Sequence, residues 1–244
     1  MNGTWLIAAL ALAAPPARAA VDPQAVLAAI DDLYQGKTSQ GIMEMEVVTP
    51  DWSRTMRLRL WSRGRDVFLV RVEAPAKDRG VSTLRNGSEI WNYLPNIDRT
   101  VRIPPAMLAS AWMGSDLTND DLVKLSRLSR DYVGQLTPGA PPGELEITAL
   151  PKPDAAVVWT RIVARVRQGG LLPEEVRYYG DDGALARTVT FSDVRPLGGR
   201  HVPAVLTVVP AGKPGHRTVL RYLTLELDRP LPDARFSLHA LRNP

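Results

Sequence analysis

The sequence predicts an α+β protein that is predominantly antiparallel β: one large sheet with a few helices inserted. Three observations carry this. Apolar and polar residues alternate with period 2 through most of the chain, turn-forming residues separate the alternating runs, and one amphipathic helical pattern stands ahead of the first strand. In the helix, Asp22 is placed to accept free N–H groups as N-cap and Pro23 suits the first helical position. Val26, Ile30, Leu33 and Tyr34 fall on one stripe before Gly36.

Strands follow. Met43, Met45 and Val47 alternate with Glu44 and Glu46; Met56, Leu58 and Leu60 alternate with Arg57 and Arg59; Phe68, Val70 and Val72 come next, with turns at Pro50-Asp51 and Gly64. Such runs read as antiparallel hairpins with one face in water. Asn86-Gly87 between residues 81–85 and 88–94 is the strongest hairpin signal, because both residue types tolerate positive φ. A strand over 100–103 leads into Pro104-Pro105, a short helix-like stretch over 106–113, and a second helix over about 119–128, capped by Thr118 with Asp121 three residues on. Beyond it, residues 145–149, 157–166, 174–179, 185–191, 201–209 and 217–227 read as strands of meander hairpins. The segment 137–143 (TPGAPPG) is no longer than a long loop, so residues 20–244 are expected to form one domain.

The ends and the composition narrow the function. Residues 5–14 form an apolar run followed by Ala17-Arg18-Ala19, the small-residue pattern of a cleaved secretory signal ending at residue 19, although residues 1–4 carry no Lys or Arg. A periplasmic protein without a transmembrane segment in its mature form is therefore expected. The absence of Cys excludes disulfides, thiolate catalysis, Cys-ligated metals and lipidation of an N-terminal Cys. The net charge of +4 is a small Arg excess spread along the chain, which argues against a nucleic-acid partner.

No catalytic or metal constellation is legible, and no cofactor is expected. His201, His216 and His239 stand apart from one another and from carboxylate clusters, while Gly114-Ser115-Asp116 lacks the second Gly of a nucleophile elbow. Asp116, Asp120 and Asp121 lack the spacing of a calcium loop and sit where a helix start favours acids.

Two features point to an apolar ligand or to ordinary core packing. Every Met beyond the initiator, namely Met43, Met45, Met56, Met107 and Met113, lies in the N-terminal half, and flexible Met suits both a variable ligand and gap filling. Trp91 and Tyr93 share one strand face while Ile90 and Leu94 occupy the other, so both faces need cover, by helices or by a ligand.

The segment Trp91-Asn92-Tyr93-Leu94-Pro95, then Arg99, Arg102-Ile103-Pro104, then Met113-Gly114-Ser115-Asp116-Leu117-Thr118-Asn119-Asp120-Asp121-Leu122 resembles the signature of the LolA-like family of outer-membrane lipoprotein-sorting proteins. Trp159, Leu172-Pro173, Asp182-Gly183, the run Gly199 to Pro203, and Leu231-Pro232-Asp233-Ala234-Arg235-Phe236 recur in the family's order, so the resemblance extends over nearly all of residues 20–244. Leu117 and Asn119 depart from it, standing where an aromatic is usual.

The resemblance implies a strongly curved, half-open β-barrel whose concave apolar face is covered by short helices. It implies a carrier of lipid or lipoprotein acyl chains rather than an enzyme, working with an inner-membrane transporter. On this reading Met43, Met45, Met56, Leu58, Phe68, Trp91, Tyr93, Met107, Trp112 and Met113 line the cavity or its lid, and Gly114 is the hinge. Arg99, Arg102, Ser115 and Asp116 latch the lid or meet a head group. The competing functions are a lipid-sensing adaptor acting through a partner protein, and an envelope hydrolase with an unrecognised site. Transfer of lipid to acceptor membranes, ligand-dependent affinity for a partner, and ester turnover would separate the three.

Overall fold

A computed structural model describes residues 21–124 and 127–243. The expected signal segment, residues 1–19, lies outside the described residues. Helix α1 (Pro23–Asp32) begins as its sequence dictates, with the Asp22 side chain accepting from the Gln24 N–H at 2.9 Å. Strands β1 (Thr38–Val48), β2 (Ser53–Arg63), β3 (Val67–Ala74), β4 (Ser82–Asn86), β5 (Glu89–Leu94) and β6 (Arg99–Arg102) form a meander. After it come α2 (Asn119–Lys124) and α3 (Leu128–Asp131), then β7 (Tyr132–Thr137), β8 (Glu144–Pro151), β9 (Arg161–Arg167), β10 (Leu172–Tyr179), β11 (Leu185–Leu197), β12 (Arg200–Pro210) and β13 (Arg217–Leu227). Helix α4 (Leu238–Arg242) follows.

The thirteen strands form one antiparallel sheet in the order β6-β5-β4-β3-β2-β1-β13-β12-β11-β10-β9-β8-β7. The two meanders join where β13 pairs with β1, so Met43 faces Tyr222 and Met45 faces Leu220. The loop 137–143 connects two neighbouring strands of that sheet.

One hydrophobic core contains Ile90 of β5 and Ile147 of β8 together with Val26 and Leu27 of α1. Those strands are ten spacings apart, roughly 48 Å in a flat sheet at about 4.8 Å per strand. A shared core therefore requires the sheet to curl around the helices, which is the curved half-barrel that the resemblance implies. A smaller core lies on the convex side. Trp61, Leu69 and Leu84 stand opposite one another across β2, β3 and β4, and pack under Phe236 and Leu241 of the C-terminal segment.

Three local expectations need correction. Residues 106–113 are not one helical stretch but parts of two 3-10 turns, Pro105–Met107 and Trp112–Gly114, because Met113 and Gly114 both take positive φ (51° and 71°) and no helix continues through that pair. The expected helix over 119–128 is instead α2 and α3. At the β4–β5 hairpin Asn86 pairs with Glu89, so the loop is Gly87-Ser88 with Gly87 at φ 63°, one residue beyond the expected turn.

Candidate functional site: a covered apolar cavity

Between the concave face and its cover lies a cavity of about 240 Å³. Met43, Leu60, Phe68 and Val70 line it from β1–β3, and Val176, Val189, Phe191, Leu206, Val208 and Tyr222 from β10–β13. These positions alternate with residues on the convex face, so the period-2 pattern makes the wall apolar. The cover supplies Ile30 from α1, Leu33 and Tyr34 from the turn that ends it, then Trp112, Leu117, Leu122 and Leu128 from the segment that follows β6. The polar and charged lining comes from Asp31 of α1 and Gln35 just beyond it, Ser39 and Gln40 of β1, Ser62 at the end of β2, Arg65 of the β2–β3 turn and Arg85 of β4. The Ser39 and Ser62 hydroxyls are directly hydrogen-bonded across the β1–β2 pair.

The cover is fastened by polar contacts that its own short helices cannot satisfy. The Trp112 indole donates to Thr83 Oγ1 at 3.1 Å, fixing the ring on the sheet. Ser115 Oγ donates to the Trp112 carbonyl at 2.7 Å and accepts from the Leu117 N–H at 3.2 Å. Asp116 Oδ2 accepts from Thr218 Oγ1 at 2.7 Å, and its backbone N–H donates back to that oxygen at 2.9 Å, which ties the loop to β13. At α2, Thr118 N–H donates to Asp121 Oδ2 at 2.8 Å and Asp121 N–H to Thr118 Oγ1 at 3.1 Å, a reciprocal capping box.

Asp121 has a second role. Both its oxygens accept from the Arg187 guanidinium of β11 at 2.6 and 2.7 Å, and both side chains are almost fully buried. Arg187 lies over the rings of Tyr178 and Trp159 at 4.4 and 4.8 Å. Burial pulls the Arg187 pKa down, but the hydrogen bond and charge of Asp121 outweigh it and hold the group above its ordinary value.

Two further buried charges brace the same cover. Arg85, 2% exposed, donates to the Leu122 carbonyl at 3.0 Å, to the Arg65 and Gly87 carbonyls, and to Asp66. Burial lowers its pKa to about 10, so it is charged at neutral pH. Asp31 of α1 accepts from the Leu128 and Ser129 N–H groups at 2.9 Å each, capping α3 from another helix, and meets Arg65 at 3.2 Å. Burial raises the Asp31 pKa against those hydrogen bonds and the Arg65 charge.

The structure divides the residues singled out from sequence. Met43, Phe68 and Trp112 line the cavity, and Met45, Met56 and Leu58 are buried in the core around it. Met113 packs against that core, and Met107 is 49% exposed. Ser115 and Asp116 make the hydrogen bonds described above, and Gly114 stands in the turn at the Trp112 end of the cover.

Trp91 and Tyr93 are elsewhere. Because Ile90 and Thr83 face the cavity side, the period-2 rule sends Leu84, Trp91 and Tyr93 to the convex face, where they pack with the C-terminal cluster. Arg102 stands opposite Trp91 on that face, 63% exposed and paired with Glu89, so it ties nothing to the cover. Arg99, directly opposite Leu94 at the hairpin end, is exposed and likewise not a tie. Sequence reasoning missed Asp31, Arg85 and Arg187. The available signal was phase: Arg187, Val189 and Phe191 alternate on one face, which places a cation in an apolar row.

The architecture defines a class: a curved antiparallel sheet closed over an apolar cavity by short, polar-fastened helices. The model of a family described as "Uncharacterized protein" matches residues 64–243, and the chain belongs to that family. Among solved structures, a LolA superfamily protein from Nitrosomonas europaea is similar at 22% identity with a TM-score of 0.75, over 91% of this chain and 100% of that one. A DUF1329 family protein from Desulfovibrio piger is similar at 23% identity with a TM-score of 0.80, over 91% and 100%. A domain described for outer membrane lipoprotein sorting, from Vibrio parahaemolyticus, is similar at 20% identity with a TM-score of 0.76, over 90% and 98%. The fold is LolA-like. A search of curated proteins gives no match. No helix among the described residues is long and apolar enough to cross a membrane.

Proposed function

We propose that the protein is a periplasmic carrier that holds the acyl chains of a lipid or lipoprotein in this cavity and delivers them toward the outer membrane, receiving them from an inner-membrane transporter. The observation that carries the reading is the apolar cavity between the concave face and a cover attached by a few discrete polar contacts. Sequestering an acyl chain there gains about 0.8 kcal/mol per methylene removed from water. The closed volume is small beside the roughly 300–1,000 Å³ of typical ligand sites, so a larger cargo requires the cover to move outward. Lipoprotein sorting, named for the Vibrio relative, supports the choice of cargo class, and the expected signal segment supports the compartment.

The experiment has two parts. The protein is expected to bind a fluorescent fatty-acyl probe that phospholipid or lipopeptide displaces, and to pass the probe to acceptor vesicles faster than it dissociates into buffer alone. Binding no tighter than to an unrelated protein of similar size would remove the carrier reading. Binding without transfer, coupled to a change in affinity for a partner protein, would favour a sensor.

A further inference from the structure

Where the turn after α1 meets β13, the cavity is lined by further polar-tipped side chains. Tyr34 and Tyr222 stack with ring centroids 4.6 Å apart, and both line the cavity. The Tyr34 hydroxyl donates to the Pro203 carbonyl at 2.7 Å, whereas the Tyr222 hydroxyl has no hydrogen-bond partner among the described residues. Burial pushes its pKa up to about 12, so it stays protonated and able to donate at any physiological pH. Gln35, next in sequence to Tyr34, also lines the cavity, and its Oε1 is buried without a partner. Such a group costs free energy in the empty protein. Ser39 and Ser62 add two hydroxyls to the same lining.

The charged groups of the lining are matched internally. Arg65 meets Asp31 and Asp32, Arg85 meets Asp66, and Asp31 also accepts from the start of α3. A carboxylate or phosphate entering here would have to displace one of these partners and give up its own hydration. A hydroxyl would not. It donates and accepts at once, so it serves Gln35 in either orientation of the amide as well as the Tyr222 hydroxyl.

From this arrangement we propose that Tyr222 and Gln35 form a hydrogen-bonding subsite for an uncharged, hydroxyl-bearing group at the head of an acyl chain. The ligand class is a neutral hydroxylated acyl lipid in preference to a free fatty acid or a phosphate-bearing lysolipid. The proposal rests on the carrier reading and narrows it.

The test keeps the acyl chain constant. Displacement of a fluorescent fatty-acyl probe is measured at pH 8 with 1-monooleoylglycerol, with oleate and with 1-oleoyl-lysophosphatidate, all below their aggregation concentrations. Monooleoylglycerol is expected to displace the probe at a concentration at least tenfold lower than either anion. Tyr222→Phe keeps the stacked ring and Gln35→Leu removes the unpartnered amide. Each is expected to weaken monooleoylglycerol about tenfold, leave oleate unchanged, and unfold no earlier than wild type. Equal displacement by the three compounds, preference for an anion, or variants that weaken all three alike would overturn the subsite while leaving the carrier reading in place. Failure of every acyl compound to bind would overturn both.

Discussion

Asp121→Asn should loosen the cover more than its single-atom change suggests. The carboxylate accepts two hydrogen bonds from Arg187 at 2.6 and 2.7 Å, with 5% and 6% of the two side chains exposed. Removing one partner of such a pair leaves a guanidinium buried beneath Tyr178 and Trp159 without its counter-charge, a loss of about 3–5 kcal/mol. Asn keeps an oxygen for the Thr118 capping box but turns an NH2 donor toward Arg187, so the change removes the counter-charge together with one of the two hydrogen bonds. Two readouts follow. If the cover opens with the rest of the molecule, the melting temperature falls by about 6–20 °C, at roughly 2–4 °C per kcal/mol for a chain of this size. If it opens alone, amide exchange across residues 112–124 accelerates by roughly two to three and a half orders of magnitude, at about 1.4 kcal/mol per tenfold. The double variant Asp121→Leu, Arg187→Met should recover most of the loss, because a packed apolar pair avoids desolvating two ions. A single variant within about 2 °C of wild type, with unchanged exchange at 112–124, would refute the ion pair as the main fastening of the cover.

Three smaller predictions concern the frame. The Arg127 hydrogen bond, with the charges of Arg127 and Arg85, holds Asp66 below its ordinary pKa of 3.8, so its stabilising contribution is complete above 3.8 and is lost as pH falls through the lower folded value; Asp66→Asn should be less stable than wild type near neutrality and equal to it in strong acid, measured by denaturant unfolding across pH. At Gly41 a Cβ would stand 2.3 Å from the Thr224 carbonyl oxygen of β13, so Gly41→Ala should lose about 1–3 kcal/mol in the same assay. Arg102→Leu removes only an exposed pair with Glu89, and should leave both melting temperature and lipid transfer within error of wild type.

The parts of the fold that were legible in the sequence are those whose signals are local. The Asp22-Pro23 start of α1, the Met43-Met45-Val47 alternation and the Asp182-Gly183 turn each announce their element within a few residues. Strand β7 was not, since Gly134 interrupts its pattern and its Cβ-free position serves a distant contact, the approach of α1 at Pro23 and Leu27. Helix α4 was missed for a similar reason. It is five residues long and held from outside, by Arg71 of β3 donating to the Ala240 and Leu241 carbonyls.

The site shows the same division. Trp112, Met43 and Phe68 could be placed from apolar bulk and motif, but which face Trp91 and Tyr93 occupy depends on register with β4. The fastenings Asp121–Arg187 and Asp31–Leu128 join residues 66 and 97 positions apart, a separation that no spacing rule spans.

Cargo is expected on the concave face, under the cover. Photolabelling with a fatty acid bearing a benzophenone at the end of its chain, followed by peptide mapping of the adduct, tests it most directly. Labels are expected on cavity-lining residues such as Phe68, Trp112 or Phe191, suppressed by excess unlabelled acyl lipid. Labels concentrated around Trp91 and Arg242 on the convex face, or spread over the surface and insensitive to competitor, would contradict it.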